Sequence, residues 1–334
     1  MGVYVQAIIN DSPIDLIRTK TVLVTGAAGF IGKRLSELLL SSGVQVRRAN
    51  RTIGISEQSV ATGCISDITD WSNFLSGIDS IVHLAARVHA IKDQTANPLA
   101  EFRLVNVAGT LNLAQQAAMA GVKRFVFISS IKVNGEQTQI GRPFTEKDRA
   151  APVDAYGISK HEAEGGLRRI AKETGIEVVI IRPVLVYGPG VKGNFLSMMY
   201  WLHKGIPLPF GAINNSRSLV ALDNLVDLII TCLHHPASAN QTFLVSDGED
   251  VSITKLLQYT ASAMGLRSRL MPVPALMIQI AAKLLGKGEV TQRLCGNLQV
   301  DISKARELLG WVPPISLKEG LHRAAEGYVQ SGGL

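Results

Sequence analysis

The sequence predicts a doubly wound, mostly parallel α/β sheet followed by a smaller, loop-rich lobe. Two observations carry that expectation. Short strand candidates that are apolar throughout alternate with amphipathic helices in the first half of the chain, and after about residue 186 that rhythm gives way to glycine- and proline-rich connections. The elements follow in order. Thr21–Thr25 is β-branched and apolar; glycines come next, then a helix with Ile31, Leu35, Leu38 and Leu39 on one face and Gly43 at its end. Further strands are expected at 44–49, 80–84, 124–129 and 177–182. Helices are expected at 101–120, closed by Gly121, and at 157–174, closed by Gly175. Loop-rich stretches at 187–190 and 207–211 open the second part. These elements divide the chain into a sheet domain at 20–189, to which 218–245 returns, and a lobe at 190–331. The most hydrophobic window, 270–285, is interrupted by Pro272, Pro274, Gln279 and Lys283. It reads as a largely buried helix, with interfacial membrane contact as the lesser reading.

Composition sets outer bounds. The chain has 334 residues, 46% hydrophobic and 18% charged, an ordinary globular balance that argues against bulk disorder. Its formal charge is +7 with no long basic run, which favours phosphorylated small molecules over nucleic acid or an anionic membrane as partners. Cys64, Cys232 and Cys295 have neither disulfide-framework nor zinc-site spacing, which fits a reducing cytoplasm. Residues 1–20 carry Asp11 and Asp15 and lack a signal-length apolar core, so they read as a short extension. No stretch reaches the roughly 18 unbroken apolar residues that a spanning helix requires.

Gly26-Ala-Ala-Gly29-Phe30-Ile31-Gly32 follows the first strand and opens a helix. Alone, three glycines mark only a tight turn. After the first strand of an alternating pattern they form the dinucleotide cradle of a Rossmann-type fold, with the pyrophosphate at the helix N-terminus. NAD-preferring folds place a carboxylate at the end of the second strand, roughly 20 residues on. Here the segment is Val46-Arg47-Arg48-Ala49-Asn50-Arg51. Arg48 and Arg51 offer bidentate donors to a 2′-phosphate, which predicts NADP(H), with NAD(H) as the alternative. Asp67 and Ile68 follow the third strand and are expected near the adenine. Leu84, Ala85 and Ala86, at the end of the fourth, are expected along the cofactor. His83 beside them reads as a packed strand residue.

Tyr156-Gly-Ile-Ser-Lys160 sets a phenol and an ammonium one helical turn apart. A lysine charge about 4 Å away would lower the phenol's pKa from about 10 toward neutrality, where it exchanges protons with a hydroxyl or carbonyl. Ser129 and Ser130 end the fifth strand, and either hydroxyl can meet the same substrate oxygen.

Together these motifs resemble the extended short-chain dehydrogenase/reductase family, the NAD-dependent epimerase/dehydratase group, from about Thr21 to Ala325. Arg182-Pro183, Val186-Tyr-Gly-Pro-Gly190, the segment from Arg217 to Asp223 and that from Asp301 to Trp311 extend the resemblance. It implies Ser130, Tyr156 and Lys160 as the catalytic set, and a UDP-sugar held by the C-terminal lobe. It further implies substrate contacts at Asn194, Arg217 and Arg293, and a homodimer through helices of the Rossmann domain. Dehydratases of this family carry Asp-Glu after the catalytic hydroxyl; here Ile131-Lys132 stand there, which argues against dehydration. The stretch from Ser129 to Glu136 is similar to bacterial surface-polysaccharide enzymes that reduce a UDP-2-acetamido-2,6-dideoxy-hexulose at C4 to UDP-N-acetylquinovosamine. The leading expectation is therefore an NADPH-dependent 4-ketoreductase. A UDP-glucose or UDP-N-acetylglucosamine 4-epimerase with tightly bound NAD is the alternative, and a non-catalytic NADP-sensing regulator is the out-of-class rival.

Overall fold

The computed structural model describes residues 21–52, 59–88, 97–284, 286 and 294–333. The readings of residues 1–20, Leu285 and Arg293 lie outside them. The first half runs β1 (Thr21–Thr25), α1 (Phe30–Ser41), β2 (Gln45–Asn50), β3 (Ser59–Ala61), α2 (Ser72–Leu75), β4 (Ser80–His83), α3 (Pro98–Arg103), α4 (Thr110–Met119), β5 (Arg124–Ile128), α5 (Ala155–Thr174) and β6 (Glu177–Pro183). The rest runs β7 (Leu185–Tyr187), α6 (Gly193–His203), β8 (Arg217–Ala221), α7 (Leu222–His234), β9 (Thr242–Val245), β10 (Asp250–Val251), α8 (Ile253–Ala263), α9 (Ala275–Leu284), α10 (Ser303–Leu309) and α11 (Leu317–Tyr328).

Seven strands pair in the order β3-β2-β1-β4-β5-β6-β9, every pair parallel, and β9 reaches this sheet from after the lobe's first elements. The order reverses between β1 and β4, where such sheets bind ligands beyond the strand ends. Strand side chains alternate between two cores. Val22, Val24, Val126, Ile128, Val179 and Ile181 enter one, while Leu23, Phe125, Phe127, Val178 and Ile180 enter the other. Burial on both faces explains why these strands are apolar throughout rather than alternating. A second sheet, β10-β8-β7, anchors a third core that includes Phe195, Met199, Leu257 and Leu321.

Two helix expectations need correction. The single helix at 101–120 is α3, a wide π-type turn at Leu104–Gly109, and α4. Asn106 lies buried in that turn, where its side chain accepts from the Arg87 N–H (2.8 Å) and donates to the Arg87 carbonyl (3.1 Å) and to Ser159 Oγ (3.0 Å). Such local widening recurs at functional sites. The window at 270–285 contains α9, but its apolar residues are not buried. Leu276, Met277, Ile280 and Leu284 are 66%, 60%, 53% and 84% exposed, and it is Ala275 and Ile278 that pack on the lobe core. Among the described residues no helix is long and apolar enough to cross a membrane.

Candidate active site

The turn between β1 and α1 is too tight for a side chain at two of its glycines. Gly26 has φ 67°, and a Cβ there would lie 2.9 Å from the Ala85 nitrogen; one at Gly32 would lie 2.3 Å from the Gly26 carbonyl oxygen. Phe30 and Ile31 seat α1 against the core, and no side chain caps its N-terminus. Its first N–H groups therefore suit an anion. Leu84 and Ala85 run beside the turn, their N–H groups donating to the Thr25 carbonyl (3.3 Å) and to Thr25 Oγ1 (3.2 Å), and Ala86 follows, half-buried.

Asn50, neither a carboxylate nor an arginine and so without a ribose-reading signal in the sequence, joins this cradle. Its Oδ1 accepts from the Ala28 N–H at 2.8 Å, tying the end of β2 to the glycine turn. Arg47 is committed elsewhere, donating to the carbonyls of Phe74 (2.7 Å) and Ser76 (2.9 Å). Arg48 shares a strand face with Val46 and Asn50, and its buried Nε has no hydrogen-bond partner among the described residues. Arg51 is exposed just past the strand. Asp67 and Ile68 are exposed in the loop after β3, which Asn112 anchors through the Ser66 and Thr69 carbonyls (3.1 and 2.8 Å).

The end of β5 separates the two serines. Ser129 is buried and donates to Glu164 Oε1 at 2.6 Å, whereas Ser130 is half-buried and its Oγ accepts a long contact from the Lys132 N–H (3.3 Å). Helix α5 begins against the turn after Ser130, since a Cβ on Gly157 would lie 2.9 Å from the Lys132 carbonyl oxygen. Asp154 caps that helix through the Gly157 N–H (2.7 Å) and forms an ion pair with Lys132. Ser130 and Tyr156, 26 positions apart in the chain, are thus brought to one end of the sheet, with Lys160 a helical turn beyond Tyr156.

Tyr156 is half-buried, its ring edge-on to Phe102 at 6.2 Å. Lys160 is buried, donates to the Ile128 carbonyl at 2.8 Å, and holds Nζ 4.4 Å from the Phe127 ring centre. The electrostatics correct the expectation from spacing. Burial, and then the Asp154 carboxylate, push the Tyr156 phenol above its ordinary value instead of toward neutrality. The lysine does not win because its own ammonium is desolvated: burial lowers Lys160 to about 7, with Glu164 partly opposing. The perturbed group poised at neutral pH is the lysine.

Behind it lies a buried network with no local sequence signal. Arg182 donates to both oxygens of Glu164 (2.8 and 2.6 Å) and to Asn134 Oδ1 (2.8 Å). His83 is packed, between Thr25 Oγ1 (2.7 Å) and Thr110 Oγ1 (3.0 Å), and burial, with Lys160 adding, lowers it to about 3. It stays neutral and structural.

Asn194 and Arg217 lie on other elements. Asn194 is exposed in the first turn of α6. Arg217 opens β8 and donates to the Gly296 carbonyl at 3.0 Å, and burial lowers its pKa. One seam joins this edge to the loop after Ser130: residues 297–301 bond to Ser216 and Ser218 on one side and to Thr138 and Phe144 on the other.

The model of the NAD dependent epimerase/dehydratase family matches residues 22–246. A Vibrio cholerae protein named UDP-glucose 4-epimerase is 49% identical over 316 residues, 93% of this chain and 96% of its own length. An Escherichia coli O157:H7 N-acetyl-alpha-D-glucosaminyl-diphospho-ditrans,octacis-undecaprenol 4-epimerase is 27% identical, over 91% of this chain and 94% of its own. The solved structure of MoeE5 in complex with UDP-glucose and NAD superposes with a TM-score of 0.74 at 25% identity, covering 93% of this chain and 99% of that one.

Proposed function

We propose, since the chain belongs to the NAD dependent epimerase/dehydratase family, that it is an NAD-dependent UDP-sugar 4-epimerase. The observation that carries this reading is the gathering of Ser130, Tyr156 and Lys160 at the end of β5, on the side of the parallel sheet where β1 runs into the glycine turn, without the dehydratases' carboxylate pair. The place such a pair would hold is taken by Ile131 and by Lys132, which is bound to Asp154. The 49% identity to a named UDP-glucose 4-epimerase supports epimerisation over the net reduction expected from sequence.

The residues fit the cofactor: the glycine turn leaves room that a single Cβ would fill, and the Asn50 amide stands at the strand end where a ribose is read. Bound there, NAD would supply the acceptor and donor of hydride for C4. Tyr156 Oη takes the proton of the sugar's 4-hydroxyl, while Ser130 Oγ hydrogen-bonds the same oxygen and holds it in line. Lys160 Nζ, with a pKa of about 7, carries enough charge at neutral pH to steady a phenolate and enough neutral form to relay its proton. When the carbonyl is reduced on its other face, Tyr156 returns the proton. Arg217, a largely buried guanidinium at the start of β8, binds the diphosphate through its charge and its paired N–H donors.

A second reading, NADPH-dependent 4-ketoreduction, rests on one observation: Arg51 stands exposed after Asn50, at a strand end whose residues 45–51 include no carboxylate to repel a 2′-phosphate. Two incubations separate the readings. UDP-glucose with NAD should give galactose-configured product, and UDP-4-keto-6-deoxy-N-acetylglucosamine should not oxidise NADPH. The reverse pattern overturns the epimerase reading. Undiminished turnover by Tyr156→Phe would overturn the mechanism in either case.

A further inference from the structure

We propose that the lobe's outer face, formed by α9 and the end of α6, docks peripherally on an anionic phospholipid bilayer. Helix α9 is inverted relative to an ordinary surface helix. Positions 276, 277, 280 and 284 fall within an arc of about 100°, and this exposed arc is wholly apolar: Leu, Met, Ile and Leu. Lys283 lies at its flank, also exposed.

The patch continues onto α6. The Ile206 N–H donates to the Trp201 carbonyl (3.3 Å), and residues 208–211 pair with 269–271 through three backbone hydrogen bonds, setting this turn beside the approach to α9. Tyr200, Trp201, Ile206 and Met271 are exposed there, at 49%, 45%, 46% and 46%. Rings with an apolar body and a polar tip suit the level of lipid headgroups.

Charge selects the occupant. The two segments that carry the patch, 190–211 and 265–284, contain Lys192, Lys204, Arg267, Arg269 and Lys283 and no aspartate or glutamate. All five cations are exposed. A second copy docked by the same face would set these like charges against one another across a two-fold axis, whereas anionic headgroups neutralise them. An apolar arc, interfacial aromatics and one-signed basic flanks together describe a helix lying in a membrane surface.

Flotation of the full chain with phosphatidylglycerol vesicles and with phosphatidylcholine vesicles tests this. Binding is expected to the anionic vesicles, weakening as salt is raised. Leu276→Glu/Ile280→Glu should abolish it, and Arg267→Gln/Arg269→Gln should lower partitioning about 30-fold, while Met119→Glu, on an exposed side chain of α4, should change nothing. Because the substituted side chains are exposed, circular dichroism melts should match the parent and confirm folding. No flotation at low salt, or flotation that these variants leave intact, overturns the proposal. So does a vesicle-indifferent dimer that Leu276→Glu/Ile280→Glu splits.

Discussion

Replacing Lys160 with methionine should stabilise the protein at neutral pH while removing its turnover. Lys160 is 2% exposed, and burial brings its pKa from 10.5 in the open chain to about 7 in the fold. Between those values the unfolded chain carries one more proton than the native protein, so stability rises with pH across that window. The buried lysine therefore costs most where both states would hold the proton, below about pH 7, and the cost fades toward pH 10.5. Integrating this linkage gives a penalty of about 4 kcal/mol at pH 7 and about 2 kcal/mol at pH 9. Methionine fills a similar volume without the charge, but it leaves the Ile128 carbonyl without its 2.8 Å donor. That loss is independent of pH and worth about 1–3 kcal/mol. The difference predicts a net gain of about 1–3 kcal/mol at pH 7, shrinking to about zero at pH 9. Urea titrations of cofactor-free protein, followed by tryptophan fluorescence at both pH values, would measure it. Equal or lower stability of Lys160→Met at pH 7 would refute the reasoning, as would a gain of the same size at pH 9.

Three further outcomes follow from the same geometry. Ser129→Ala removes a 2.6 Å donor from buried Glu164 and should cost about 1.5–3 kcal/mol of stability with little change in kcat; Ser130→Ala should lower kcat about 10- to 100-fold at an unchanged melting temperature, and swapped effects would reverse the assignment of the two hydroxyls. Gly32→Ala puts a methyl 2.3 Å from the Gly26 oxygen, so calorimetry should show NAD affinity falling by at least about tenfold; unchanged affinity would place the cofactor elsewhere. Arg51→Glu should lower affinity for NADPH relative to NADH by about tenfold or more, and an unaltered ratio would remove Arg51 from the cofactor site.

What the sequence makes legible here is what depends on near neighbours. Thr21–Thr25 and the later strands announce a sheet covered on both faces because Val22 and Val24 serve one core and Leu23 the other. The glycine turn and the Tyr156–Lys160 spacing are equally local. The features that escape are set by residues distant in the chain. Nothing near Ser129 says that its hydroxyl is spent on Glu164, 35 positions on. Asn50 carries no mark distinguishing it from a solvated strand end until the Ala28 N–H is seen against it. The charge balance of the tyrosine–lysine pair misleads for the same reason. Four residues' spacing promises a cation beside a phenol, but the sign of each shift depends on how far the fold removes both from water, through Phe102, Phe127 and the Ile128 carbonyl. Helix α9 shows the limit of hydropathy in its simplest form: a count of apolar residues gives the same value whether the stripe faces the core or solvent. Only the packing of Ala275 and Ile278 reveals that this stripe faces out. An apolar window broken by prolines therefore indicates a surface that needs covering, and the charges around it carry the information about what does the covering.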